Sequence, residues 1–317
     1  MQEAKEDKAM REQSIEPKKR LIAWLTLSRP PFHLVGIFPF ILGLVIAWSQ
    51  GYPFNWGVGI LSSLAVILIM LTTYYAGEYY DYETDSLNSE FNKFSGGTRV
   101  LPAELIPRRH VLVAAFLTLA AAGIIGLILQ FYFKTGPFTI PLGAFGMLCG
   151  YFYTSKPIRW AYRGVGEVLI GICYGWLTVN AAYYLQTGAF GLIPTLTSIP
   201  IGISIFLVIL INEFPDYASD RASGKNNLVV RLGRDRAALL YASLAAICFL
   251  AIVLGVLAGV PWLMAVLSVI PLALIVRNML ALKRGEYKEG HALEKICATT
   301  LFLNLGTTFL YILAFAL

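Results

Sequence analysis

Residues 192–220 read LIPTLTSIPIGISIFLVILINEFPDYASD. The first 20 positions of that stretch carry no charge, and about 20 mainly apolar residues are what a helix needs to cross the hydrocarbon core of a bilayer. Three acids, Glu213, Asp216 and Asp220, follow at once. An uncharged helix that stops at a group of carboxylates sets the fold class: a membrane span whose end carries polar chemistry.

The rest of the chain repeats the apolar half of that pattern. Of 317 residues, 57% are hydrophobic and 14% charged, with a mean hydropathy of +0.66, whereas soluble domains carry roughly 25% charged residues. Nine apolar stretches predict nine transmembrane helices, centred on Val35 to Trp48, Val58 to Thr73, Val111 to Gln130, Phe138 to Tyr153, Val168 to Leu185, Leu192 to Ile211, Ala237 to Val260, Trp262 to Leu280 and Ile296 to Leu317. No Gly/Ser- or Pro-rich linker separates them. The reading is an all-α integral membrane protein with about nine transmembrane helices, divided into an N-terminal arm over residues 1–28 and a single membrane domain over residues 29–317. The first twenty residues mix acids and bases without an apolar stretch, the pattern of neither a secretory signal nor a transit peptide.

The net charge of +6 acquires its meaning from where the cations lie. Under nine spans, 24 of the 25 Lys and Arg residues fall on one side, and only Lys134 falls on the other. The positive-inside rule then places the N-terminus and the long loops in the cytoplasm and the C-terminus outside. The basic balance is a topology signal, and no nucleic-acid partner is expected. Cys149, Cys173, Cys248 and Cys297 sit singly in apolar segments, and His33, His110 and His291 are scattered. Neither set has the spacing of a disulfide framework, a zinc site or a haem site.

A second acidic cluster matches the first one quoted. Residues 77–85 read GEYYDYETD and residues 212–220 read NEFPDYASD. Each closes an apolar stretch, and each holds an i, i+4 aspartate pair: Asp81 and Asp85, then Asp216 and Asp220. A 3.6-residue period puts Glu78, Asp81 and Asp85 on one helical face. Like charges at that spacing repel, and a divalent cation would offset them. Mg²⁺ is usually held by one or two carboxylates together with substrate phosphates. The loops that follow supply counter-charges and glycines for close backbone approach: Lys93, Gly96, Gly97 and Arg99 after the first cluster, Arg221, Gly224, Lys225 and Arg231 after the second. Carboxylates for metal and Lys/Arg for phosphate oxygens suit a membrane-soluble diphosphate. The spacing of the clusters also suggests two four-helix halves plus a ninth helix, with the site where the halves meet.

On these motifs the sequence resembles the UbiA superfamily of intramembrane aromatic prenyltransferases, whose two aspartate-rich motifs approximate NxxxDxxxD. The second cluster matches in full as Asn212, Asp216 and Asp220. The first matches at Asp81 and Asp85 but has Gly77 where asparagine is expected, which leaves two readings: Glu78 supplies the missing oxygen, or the first metal site is altered. Pro215 either kinks the helix or begins a new segment. Segments 96–102, 153–167, 183–186 and 224–233 look like those of 1,4-dihydroxy-2-naphthoate prenyltransferases.

The resemblance implies a central cavity among nine helices of a bacterial or archaeal plasma-membrane protein. It implies two Mg²⁺ ions bridging Glu78, Asp81, Asp85, Asn212, Asp216 and Asp220 to a polyprenyl diphosphate. The prenyl chain would pass to an aromatic acceptor, dihydroxynaphthoate in menaquinone-type quinone synthesis, with loss of CO₂. Lys93, Arg99, Lys225 and Arg231 are then expected on the diphosphate. Tyr79, Tyr80, Tyr151 and Tyr153 are candidates to line the path of an allylic cation, and Glu167 either polarises the acceptor hydroxyl or pairs with Arg163. A transporter would need deep charges along a path across the membrane, and the acids here gather at one face. A non-catalytic homologue is the reading Gly77 keeps open, and the DxxDGxxAR signature of CDP-alcohol phosphotransferases is missing.

Overall fold

The computed structural model describes residues 16–88 and 94–317. Every regular element among them is helical. Eight helical runs are long and apolar enough to cross a membrane, and the shorter apolar helix Thr139–Tyr151 brings the bundle to the nine predicted from the sequence.

Helix α1 (Pro17–Ser28) opens with proline at its first turn and ends at Arg29, whose φ of 46° is left-handed. The Pro30-Pro31 pair then starts a tight turn, and α2 (Leu34–Ser49) follows. Part of the arm over residues 1–28 is therefore a helix seated on the bundle, with Ala23 and Leu27 buried against Tyr75, Ala76 and Ile106. The Asn55 side chain accepts from the Val58 N–H at 3.1 Å and starts α3 (Trp56–Tyr80). Its 25 residues reach about 38 Å at 1.5 Å per residue, enough to carry its last turn past the hydrocarbon. There it breaks at Asp81, and the short helix α4 (Tyr82–Leu87) sets off anew.

Helix α5 (Arg108–Leu127) packs along α3, and α6 (Thr139–Tyr151) lies beside both. The fifth span is interrupted: α7 (Gly166–Gly171) passes through a π-turn, Ile172–Leu177, into α8 (Thr178–Thr187). The Thr178 hydroxyl donates to the Cys173 carbonyl at 2.6 Å, an oxygen that also accepts from the Thr178 N–H across the wide turn. This span meets α9 (Leu192–Asn212) almost backbone to backbone. A Cβ on Gly175 would lie 2.5 Å from the Gly202 Cα, the close crossing that small residues permit between membrane helices.

The chain leaves α9 through Pro215 and begins a separate short helix, α10 (Tyr217–Ala222), so Pro215 starts a new segment. Short α11 (Leu228–Leu232) is capped by Asn227, whose side chain accepts from the Val230 N–H at 2.9 Å. Then come α12 (Arg234–Leu257), α13 (Leu263–Leu267) with α14 (Val269–Lys283) as one span, and α15 (Gly290–Ala316). The short helices that carry Asp85 and Asp220, α4 and α10, touch each other. A cavity of about 570 Å³ lies among α3, α5, α6 and the fifth span.

Candidate active site

Two separate chain breaks build the site. Because α3 stops at Asp81 and α9 stops at Asn212, each acidic cluster straddles a bend. Asp81 and Asp85 therefore do not share one continuous helical face with Glu78, as the period alone implied.

The loops then cross-link the two clusters. Asn88, just past the first, donates to Asp216 Oδ1 of the second at 2.7 Å, and Ser95 and the Gly96 backbone also bond to Asp216. The Tyr162 hydroxyl donates to Asp81 Oδ1 at 2.7 Å. Asn227 donates to Asp220 Oδ2 at 2.7 Å, and Lys225 Nζ stands 3.4 Å from the other oxygen of Asp220.

Lys225 is the shared cation. Burial pulls its pKa down, but attraction from Asp220, Asp81 and Asp216 outweighs that and holds it well above the ordinary lysine value. The acids move the same way for a different reason. Burial raises Asp81, Asp216 and Asp220, with Lys225 opposing each rise. Burial, then the charges of Asp81 and Glu78, push Asp85 up to about 8. Carboxylates this crowded and this short of counter-charge form a site that favours added positive charge.

The donor set fits Mg²⁺ shared with a diphosphate. The Asn212 Oδ1 is buried without a hydrogen-bond partner, an unused oxygen beside the aspartates. Among the described residues no group of three or more His, Cys, Asp or Glu side chains is gathered closely enough to hold an ion by protein alone. A hard cation here would complete its shell with ligand oxygens, as Mg²⁺ does.

Several predicted residues have other duties. Glu78 accepts from Arg29 at 2.7 Å, from the Thr98 N–H at 2.9 Å and from the Thr98 hydroxyl at 2.8 Å, so both its oxygens are engaged. It fastens the break after α1 and the loop at Thr98 to α3. Gly97, at φ of 71°, lies directly under Asp85, where a Cβ would meet Oδ2 at 2.2 Å. Arg99 donates to the Asp85 backbone carbonyl. Arg231 donates to the Asn226 carbonyl at 2.8 Å and covers Gly164, bracing the loop that bears Lys225. Lys93 lies outside the described residues.

Glu167 does not pair with Arg163, which donates to the Pro157 carbonyl. It is fully buried and accepts from the Leu228 N–H at 2.6 Å, fixing the start of α11 behind Asn227. Glu213 faces it, and burial together with the Glu167 charge raises Glu213 well above the ordinary value. Of the four tyrosines, Tyr153 borders the cavity at its aspartate end. Tyr79 lies under Arg108, with 4.5 Å from the guanidinium carbon to the ring centre, and the Tyr80 and Tyr151 hydroxyls hydrogen-bond at 3.4 Å. Tyr162, Asn88 and Asn227 are organisers that the spacing of acids did not single out. Tyr162 and Asn227 lay within the family-like segments, and Asn88 had no signal beyond its place after Asp85.

The cavity below is apolar. Ile69, Met70, Ile170, Leu177 and Leu185 line it, with Tyr153 and Thr73 at the site end. An acidic, cation-seeking cluster beside Tyr153, at one end of an apolar chamber, is the arrangement of an intramembrane enzyme. Residues 36–306 match the UbiA prenyltransferase family, and the chain belongs to that family of prenyl-transferring enzymes.

The chain is 29% identical over 257 residues to the 1,4-dihydroxy-2-naphthoate octaprenyltransferase of Bacillus subtilis, covering 79% of each protein. It is also 29% identical over 239 residues to the enzyme of the same name from Escherichia coli, covering 74% of this chain and 75% of that one. In three dimensions it resembles a UbiA homologue from Archaeoglobus fulgidus bound to GPP and Mg²⁺, with a TM-score of 0.58, 16% identity, and coverage of 92% of this chain and 99% of the other.

Proposed function

We propose that this enzyme transfers a prenyl chain from an allylic polyprenyl diphosphate to 1,4-dihydroxy-2-naphthoate, using two Mg²⁺ ions, at a site facing the cytoplasm. The observation that carries the reading is Lys225, one buried cation shared by both aspartate clusters beside Tyr153, which lines one end of an apolar chamber. The names of the curated relatives favour a naphthoate acceptor, and the Archaeoglobus homologue shows that a protein of this fold takes a prenyl diphosphate with Mg²⁺.

Asp81, Asp85, Asp216, Asp220 and Asn212 would hold the ions, which when bound neutralise charge on the diphosphate. Lys225 stabilises the charge that grows on the departing group, a preorganised electrostatic role. The allylic C–O bond breaks with its electron pair leaving on the diphosphate. Tyr153, which lines one end of the chamber, would stabilise the allylic cation formed there. A ring carbon of the acceptor closes the new C–C bond, and the acceptor's carboxylate leaves as CO₂, its bonding electrons returning to the ring. Asn88, Asn227, Tyr162 and Glu167 orient the groups that act. Glu78, with both oxygens engaged, acts as a clamp beneath the site.

The test is purified protein with Mg²⁺ and an allylic diphosphate. It is expected to prenylate dihydroxynaphthoate in preference to 4-hydroxybenzoate, with Asp81→Ala and Asp216→Ala each abolishing turnover. Absence of product with any aromatic acceptor, or full activity in both variants, would overturn it.

A further inference from the structure

Arg277 occupies a position where a cation is costly. It lies six residues before the end of the span Leu263–Lys283, roughly 9 Å along the helix from that end at 1.5 Å per residue. It is exposed on the outside of the bundle, between Val276 (45% exposed) and Leu280 (46%). Ionisable residues at membrane depth normally face the bundle interior or have a partner.

The surroundings name the partner's chemistry. Val269, Leu272, Val276, Arg277, Leu280 and Arg284 line a shallow trough along α14. Arg284 is two turns nearer the aspartate side on the same face, because i and i+7 align on a helix. Arg277 is held in place: it donates to Asn278 Oδ1 at 3.1 Å and to the Thr299 hydroxyl, which in turn donates to the Lys295 carbonyl at 2.7 Å. Exposed Lys295 thus stands on the adjoining turn of α15. The nearby acid, Glu286, is 3.6 Å from Arg284, and exposed pairs of this kind are weak. Cations remain in excess at the head of the trough, while its length is hydrocarbon. Guanidinium groups match phosphate oxygens in geometry. None of these residues borders the central cavity.

We propose that this trough binds an anionic phospholipid from the leaflet on the aspartate side, with its phosphodiester between Arg277 and Arg284 and an acyl chain along Val276, Leu272 and Val269. The depth of Arg277 and the apolar trough beneath it select a lipid over a soluble anion.

The test is native mass spectrometry of delipidated protein titrated with phosphatidylglycerol or with phosphatidylcholine of the same acyl chains. Phosphatidylglycerol is expected to bind at least about tenfold tighter. Each Lys or Arg near an anionic headgroup is worth roughly fivefold in affinity, so Arg277→Gln with Arg284→Gln should lose about 25-fold while Mg²⁺-dependent prenyl transfer in detergent is kept. Should the double variant fail to fold, Arg284→Gln alone, at the exposed helix end, should lose about fivefold. Equal binding of the two lipids, undiminished phosphatidylglycerol binding by whichever variant folds, or displacement by inorganic phosphate would each overturn the assignment.

Discussion

Lys225 faces three carboxylates with a single ammonium. Buried lysines usually lose their proton, and this one is kept charged by the acids it serves. Replacing it with methionine is expected to lower kcat by about 10²-fold or more, the scale for losing one preorganised electrostatic donor. Lys225→Arg should recover part of the loss. Steady-state kinetics of the pair decides this, and undiminished turnover in Lys225→Met would remove the residue from the site. Gly77 poses the opposite question. A Cβ there would meet nothing within 4 Å, so the missing asparagine of the first motif is not excluded by crowding. Gly77→Asn is expected to fold normally and to reach half-maximal activity at a lower Mg²⁺ concentration, read from a metal titration; a higher requirement would show that the first cluster has settled on another ligand set. The spacing of acids made Asp81, Asp85, Asp216 and Asp220 legible from sequence alone. The engagement of Glu78 was not, because its partners come from 49 residues before it and 20 after it, a distance at which only tertiary structure pairs side chains.

Between the elements, one close backbone contact is the crossing of the fifth span on α9. Gly175 and Gly202 let two backbones meet where any side chain would collide. Gly202→Val should push the helices apart and lower stability by about 1–3 kcal/mol, the usual cost of overpacking, visible as a lower melting temperature in detergent; an unchanged melting temperature would mean the crossing is slack. Hydrophobic length revealed the spans, including the short α6. It could not reveal the π-turn at Ile172–Leu177 or the break at Asp81. A π-turn needs only one backbone hydrogen bond to change register, and a break after Tyr80 leaves no mark in composition. Pro215 marked the place of its break, since proline removes a backbone donor, although α9 itself runs through Pro200.

For the molecule as a whole, the one-sided distribution of Lys and Arg predicts which way it sits. A C-terminal alkaline phosphatase fusion is expected to be active and a C-terminal fluorescent-protein fusion dark in a bacterial host. The reverse pattern would put the aspartates outside the cell. The sequence also suggested two halves meeting at the site, and a hydrogen bond from Asn88 to Asp216 joins the two acidic clusters. A residue from the tail of one motif holds the central acid of the other. If the halves descend from a duplicated ancestor, neither has since been free to drift alone. A change at Asn88 must be answered 128 positions away, and the record of that history should lie in correlated substitutions between the two loops and not between the spans.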